Sequence, residues 1–563
     1  MKKTSTSLMP ILSYQNVFQS EYTFIFDDLK RYNKSELIII CSAISANLMS
    51  RGESDLLKEC FKRAKDNTEG KHIYLSARGD YRMVINKASL NKVITLILNY
   101  CNCCDCYHSE EENFTQILKT FLFANAKLIE TEVVSKQLDK LSPETNYAFQ
   151  RLFWPLLFPQ MDTHSSVNFI SELCKNTLFL KYIEDNYQTE IVTDFLTERG
   201  FENRIDYAAT LAWYFFYLYA SMNNKEYPFR LQNGNKVEKL FTSLCINDIE
   251  NPNTTSVKSN PLYKVEDTFY VLDWYYFASQ LYVGTYMCLK SQIGDNLKSE
   301  LGQVFEAEYF KYIIEKCFDA YSYEMKFDSD IKEKLSRRYP DCSMKSGNNV
   351  FIFEFKDNFL SENTINSQKY DDYANKIDDI YIRKKGAKQL VDGICRLIKG
   401  EFSKDNPHNY TINYNVKKDR IYPILVYTDY KYEIQGVNNY INTEFQEMLS
   451  HEIKDANILK KIQPLVFVNL DFFLNNIHSF HTKKLKLHKM IMGYNDSIAA
   501  KKRLHEDNIG KYNENEFPIP QSFQNLHMPF ERVFSKYDFI YPPKESAPYI
   551  FEFLKKYWEV KSQ

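Results

Sequence analysis

The sequence predicts a multidomain α+β chain: a large, mainly helical N-terminal region, an α/β layer on a mixed central sheet flanked by helices, and a helical C-terminal extension. Three observations carry this. The chain has 563 residues, too many for one hydrophobic core. Only 15 are glycine, which leaves few tight turns and favours helix, while 42 Tyr and 41 Phe imply aromatic cores. Strand-like and helix-like runs alternate only in the stretch from about 350 to 475.

The elements follow in order, with boundaries expected at 1–255, 256–475 and 476–563. In the first region SELIIICSAISANLM (35–49), SLNKVITLILNY (89–100) and IDYAATLAWYFFYLYASM (205–222) carry apolar residues at helical spacing or throughout. HIYLSARGDYRMVIN (72–86) alternates on both sides of Arg78-Gly79-Asp80 and predicts a hairpin. NPNTTSVKSNP (251–261) reads as the linker. A hairpin at 262–273, an aromatic helix to about 290 and a second helix from near Leu301 follow. The α/β layer has strands at 350–356, 421–428 and 465–470, with helices at about 384–399 and 437–453. DDYANKIDD (371–379) reads as a solvated loop. Helix and loop return after that, with FPIP at 517–520 and an aromatic helix at 548–560.

Several function classes are set aside. No GxxxxGK[ST] or GxGxxG phosphate loop is present. Lys2 and Lys3 open a positive stretch, but Pro10, Ser13, Gln15 and Asn16 break the apolar run a secretory signal needs. Residues 207–224 are uncharged yet short and diluted by Thr, Ser, Asn and Tyr, so they read as a core helix rather than a membrane span. A cytoplasmic protein with reduced thiols is expected. Cys101, Cys103, Cys104 and Cys106 have CxxC spacings near His108, but one loop of overlapping pairs is a poor tetrahedral site, and free thiols are expected over zinc. The formal net charge is −2, so any nucleic acid must be held by a local basic patch.

One stretch carries chemistry. In YPDCSMKSGNNVFIFEFKD (339–357), Ser346-Gly347-Asn348-Asn349 is a turn signal between extended segments. A turn centred between Gly347 and Asn348 pairs residues whose numbers sum to 695, which sets Asp341 opposite Glu354. A one-residue slip would destroy the pairing. Glu354 and Lys356 then share one face, and Phe353 and Phe355 look into a core from the other. Two carboxylates this close repel unless a cation lies between them, and a hard ion such as Mg²⁺ or Mn²⁺ suits carboxylate and carbonyl oxygens. The plain alternative is an exposed strand face bearing a Glu–Lys pair.

Pro340-Asp341 followed by Glu354-Phe355-Lys356 on a strand resembles the PD-(D/E)xK nuclease signature. Gly302-x-x-Phe305-Glu306 upstream resembles the helix that supplies a further acid in that family, and Lys388-Gln389-Leu390 resembles the glutamine motif of several branches. The resemblance covers about 300–475. It implies a restriction-endonuclease-like core in helix–strand–strand–strand–helix–strand order. It also implies Mg²⁺ held by Asp341, Glu354, the Phe355 carbonyl and Glu306, with Lys356 positioning the attacking water and Gln389 near the substrate. Glu308 competes with Glu306 for its role.

Basic residues that would meet phosphates are Arg383, Lys384, Lys385 and Lys388, with Lys483, Lys484 and the triplet Lys501-Lys502-Arg503 further on. The expected function is a metal-dependent nuclease, endo- or exo-, acting on DNA in preference to RNA, in the manner of a bacterial anti-phage or restriction-type effector. The N-terminal half would serve recognition, regulation or homo-oligomer contacts. The alternative is a non-catalytic nucleic-acid-binding or scaffold protein on the same fold.

Overall fold

A computed structural model of the protein describes residues 11–50, 53–79, 83–102, 106–129, 147–161, 168–187, 189–223, 230–232, 237–294, 297–319, 323–331, 339–365, 367–402, 412–506, 527–534 and 544–558. FPIP (517–520) lies outside them, as do Cys103 and Cys104. The chain forms two compact units, residues 1–136 with 162–293 and residues 137–161 with 294–563.

The division does not fall at 251–261. There the Asn253 side chain caps a short helix, Thr254–Ser259, in a reciprocal capping box with Ser256. The hairpin beyond it belongs to the first unit. Strands β1 (Arg230–Gln232), β2 (Leu262–Val265) and β3 (Thr268–Val271) form an antiparallel sheet in the order β1-β3-β2. The Ser42 hydroxyl donates to the Val271 carbonyl at 2.7 Å and ties that sheet to the Lys34–Ser50 helix. The polar composition read as a linker is that of a helix cap.

Lys87–Tyr100 and Glu110–Ile129 share one core with the Lys34–Ser50 helix, around Ile38, Val93, Ile94, Leu118 and Phe121. Among the described residues the hairpin expected at 72–86 does not form. Thr68–Gly79 is a helix, and Met83 makes only an isolated bridge to Ile11. Ile73 and Ala77, four residues apart, both enter that core, so the helical period decided the segment over the alternation. Arg204–Asn223 is a surface helix. Tyr207, Ala208 and Leu211 are buried, whereas Trp213 and Tyr217 are more than half exposed. Among the described residues no helix is long and apolar enough to cross a membrane.

The second unit is built on a five-stranded mixed sheet: β4 (Glu324–Phe327), β5 (Cys342–Ser346), β6 (Asn349–Lys356), β7 (Arg420–Tyr427) and β8 (Val466–Asn469), in that order across the sheet. β4, β5 and β6 pair antiparallel; β6, β7 and β8 pair parallel. Gly347, at φ +58°, opens the two-residue turn between β5 and β6, a position where a side chain would be strained. The Ala387–Ile398 helix lies between β6 and β7 in the chain, and Val437–Glu452 between β7 and β8. The segment expected as a solvated loop at 371–379 is instead the Tyr370–Ile377 helix continuing into a π-helical turn, with Tyr373, Ala374 and Ile377 in the core. Its acids lie mostly on the outer face.

β6 is buried on both sides, as expected for a strand paired within a helix-covered sheet. Val350 and Ile352 join Leu390, Val391 and Ile394 in one core. On the other side Phe310 stacks on Phe355 at 5.0 Å, and Phe353 meets Phe473 of the Leu470–His481 helix edge-on. The expectation of one greasy face and one charged face is therefore corrected: both faces are apolar, and charge begins only at the carboxyl end of the strand. A Cβ on Gly393 would lie 3.0 Å from Pro340 and 3.9 Å from Ile352, so glycine there lets the Ala387–Ile398 helix approach the hairpin. The Ala148–Met161 helix also packs here: Trp154 is fully buried and donates its indole N–H to the Gln435 carbonyl at 3.1 Å.

Candidate active site

The β5–β6 ladder runs Cys342↔Phe353, Ser343↔Ile352 and on to Ser346↔Asn349, so paired numbers sum to 695 as the turn arithmetic requires. Asp341 stands one residue before the ladder and Glu354 one residue beyond it, next to each other. The Asp341 side chain continues the ladder in place of a main-chain carbonyl: its Oδ2 accepts the Phe355 amide N–H at 2.7 Å. That bond fixes the carboxylate against the end of β6.

Lys356 gathers the cluster. Its ammonium donates to Glu354 Oε2 at 3.0 Å and to the Phe355 carbonyl at 2.9 Å, and lies 3.5 Å from Asp341 Oδ2. Asp341 and Glu354 are buried, and the Lys356 side chain is 11% exposed. Burial pushes the Glu354 carboxyl well above the usual range; the Asp341 charge adds to this, and Lys356 opposes it without cancelling it. Burial disfavours the Lys356 ammonium, but the Asp341 and Glu354 carboxylates outweigh it and raise its pKa. Glu306 adds a weaker push in the same direction. The cluster therefore sets two buried carboxyl groups against a single ammonium.

The two competing glutamates both lie in a π-helical turn, Phe305–Phe310, and point to different partners. Glu308 turns away, to Lys556 and the Tyr557 hydroxyl on the Ala547–Trp558 helix. Glu306 is the one whose charge reaches Lys356. Among the described residues no three His, Cys, Asp or Glu side chains lie close enough together to hold a metal ion. Glu306 thus influences the site through its field and does not sit beside Asp341 and Glu354 as a further ligand. The donor set is two carboxylates and one carbonyl converging on a single cationic point. That chemistry fits Mg²⁺ or Mn²⁺, which take few protein oxygens and keep several waters.

The remaining expected residues are more dispersed. Gln389 Oε1 accepts the Gly386 N–H at 3.0 Å and closes the N-terminus of its own helix, a local capping task. Arg383 pairs with Asp378 at 2.6 Å, and Lys388 with Asp392 at 3.0 Å and Glu452 at 3.5 Å. Lys384 and Lys385 are exposed beside them, on the layer that packs against Val350 and Ile352. Lys483 and Lys484 follow the Leu470–His481 helix on the opposite layer and are exposed. Lys502 and Arg503 are exposed on the Leu487–Glu506 helix. In the Cys101–His108 loop, His108 is stacked on Tyr32 and bonded to the Arg31 carbonyl at 3.0 Å.

A second buried acidic pair escaped the sequence reading. Glu531, from the short Phe530–Phe534 helix, accepts the Tyr427 hydroxyl at 3.0 Å and the Asn469 N–H, at the ends of β7 and β8. Its other oxygen, Oε2, has no hydrogen-bond partner among the described residues. Burial and then the charge of Glu433 push its pKa to about 8. Arg532 pairs with Glu433 at 3.4 Å. The hydrogen-bonding partners lie 104 and 62 residues away in sequence, so no local pattern announces them.

The chain matches no protein-family model, no curated protein and no solved structure.

Proposed function

We propose that this chain is a divalent-metal-dependent nuclease of the PD-(D/E)xK kind, hydrolysing phosphodiester bonds of nucleic acid with DNA favoured over RNA. One observation carries the reading: Asp341, Glu354, the Phe355 carbonyl and Lys356 meet at the carboxyl end of a buried central strand, within 3.5 Å of one ammonium. Two features support it. The helix before β4, the three antiparallel strands, the Ala387–Ile398 helix and β7 follow the order that the family resemblance implies. Glu308 is engaged by Lys556 and Tyr557, whereas the charge of Glu306, the residue matching the family's pattern, acts on Lys356.

In this reading Asp341, Glu354 and the Phe355 carbonyl hold Mg²⁺ or Mn²⁺. Such an ion lowers the pKa of a bound water and offsets charge developing on the phosphate. Asp341 is held in place by the Phe355 N–H, so its orientation does not depend on substrate. Lys356 positions the attacking water or donates to the phosphate oxygens. Glu306 strengthens the local negative field that attracts the ion. The exposed Lys384 and Lys385 are candidates for backbone phosphate contacts. A cytoplasmic anti-phage or restriction-type role fits this activity.

The test is Mg²⁺-dependent cleavage of plasmid, linear duplex, single-stranded DNA and RNA by wild type, Glu354→Ala and Lys356→Ala. Cutting by wild type alone supports the reading. Equal cutting by all three removes this cluster from the chemistry.

A further inference from the structure

The oxygens assigned to a divalent ion already have a cation among them, and it belongs to the protein. Lys356 Nζ touches Glu354 Oε2 and the Phe355 carbonyl at hydrogen-bond distance and faces Asp341 Oδ2 at 3.5 Å. These are the three donors of the proposed site. Two cations cannot share them, since their like charges would repel at this separation. We propose that Lys356 is a tethered competitor for the metal site: its ammonium holds the acidic pair together in the resting protein and must leave those oxygens before they hold a divalent ion. This rests on the nuclease reading and adds a property that reading does not require.

Three features make the exchange workable. The tether is a flexible four-carbon stem, so the ammonium can move while the strand stays fixed. The Lys356 side chain is 11% exposed, which leaves it a way out, whereas the Glu354 side chain is held more deeply, at 2%. Asp341 is anchored by the Phe355 N–H at 2.7 Å, a bond that does not involve Lys356, so departure of the ammonium leaves that anchor in place. The released ammonium becomes available to water or phosphate only once the ion has taken its place. The residue that positions the nucleophile is thereby freed only in the loaded site, and the affinity for metal is set below what the carboxylates alone would give.

The experiment is Mn²⁺ titration followed by calorimetry for wild type, Lys356→Met and Glu354→Gln, with amine-directed labelling of wild-type lysines read by mass spectrometry across the same titration. Lys356→Met should bind Mn²⁺ about tenfold tighter or more, the scale of losing one charged hydrogen-bonding competitor, although it cannot cleave. In wild type, Lys356 labelling should rise with Mn²⁺ while Lys345, paired with Asp419 at the other end of the strand pair, stays constant. In Glu354→Gln the rise should disappear. Equal or weaker binding by Lys356→Met, or Lys356 labelling unchanged at saturating Mn²⁺, overturns the exchange while leaving the nuclease reading intact. If folded wild type and folded Lys356→Met both bind no Mn²⁺, the metal-nuclease reading falls too. Should Lys356→Met fail to fold, the wild-type labelling decides alone.

Discussion

At the end of β6, Asp341 and Glu354 are buried around the Lys356 ammonium. Across the same edge of the sheet, at the ends of β7 and β8, Glu531 and Glu433 are buried around a tyrosine hydroxyl, a backbone N–H and Arg532. Both are acid pairs in low dielectric, and both have carboxyl pKa values raised first by burial. They differ in what relieves the charge. The first uses the Lys356 ammonium, which in the proposed exchange a divalent ion replaces. The second uses a proton on Glu531 and an arginine on Glu433, and its hydrogen bonds tie two strand ends to a segment from the C-terminal region. A buried acid pair serves exchange chemistry when its counterion is movable, and serves as a clasp when the charge is removed by protonation.

The comparison breaks most visibly in activity. Glu354→Gln should lower cleavage by about 10²–10³-fold, as for loss of one preorganised electrostatic group, whereas Glu531→Gln should cleave like wild type. Steady-state cleavage rates check both. Stability comes next. Without divalent ions, Lys356→Met should lose about 3–5 kcal/mol, because it leaves two carboxylates buried without their partner; urea unfolding measures it.

A pH effect follows, and it is specific to the clasp. Glu531 has an ordinary value of 4.5 and a folded value of about 8, so the folded state holds the proton longer. Its share of stability is present below about 4.5 and falls as pH rises to about 8, by up to about 1.4 kcal/mol per pH unit. Glu433 repels the ionised form of Glu531 and the Tyr427 hydroxyl donates to Glu531, while Arg532 and Asp471 face Glu433. Glu531→Gln should flatten that slope and gain stability relative to wild type at pH 8–9, read from unfolding midpoints across pH. The smallest effects separate Glu306 from Glu308. Glu306→Gln should weaken Mn²⁺ binding and cleavage less than Glu354→Gln does. Glu308→Gln should leave cleavage unchanged and cost less than about 1 kcal/mol, as for an exposed pair.

Much of the β5–β6 site was legible because its determinants are local. A glycine turn and period-two alternation fix the register, and the register brings Asp341 beside Glu354. The choice between Glu306 and Glu308 was less legible, since a π-helical turn shifts the phase of the helix in a way spacing alone does not reveal. Gln389 was read through a family motif, while its bond in the structure is to the backbone of its own helix start. The 371–379 segment was misread because its acids outnumber its apolar residues, although Tyr373, Ala374 and Ile377 hold the helical period. The Glu531 clasp was illegible: its partners come from two strands far upstream, and only the fold brings them together.

The Ala148–Met161 helix has a consequence for how the protein is made. Trp154 and Phe158 belong to the core of the second unit, yet that unit's remaining chain begins at Gly294. On the ribosome this helix emerges on the order of ten seconds before the strands it will cover, at ordinary rates of synthesis. Its apolar face must wait through the synthesis of more than a hundred intervening residues that belong to the other unit. The second unit is thus completed by a piece delivered early, and a fragment starting at Gly294 would be born without Trp154, a fully buried member of its core.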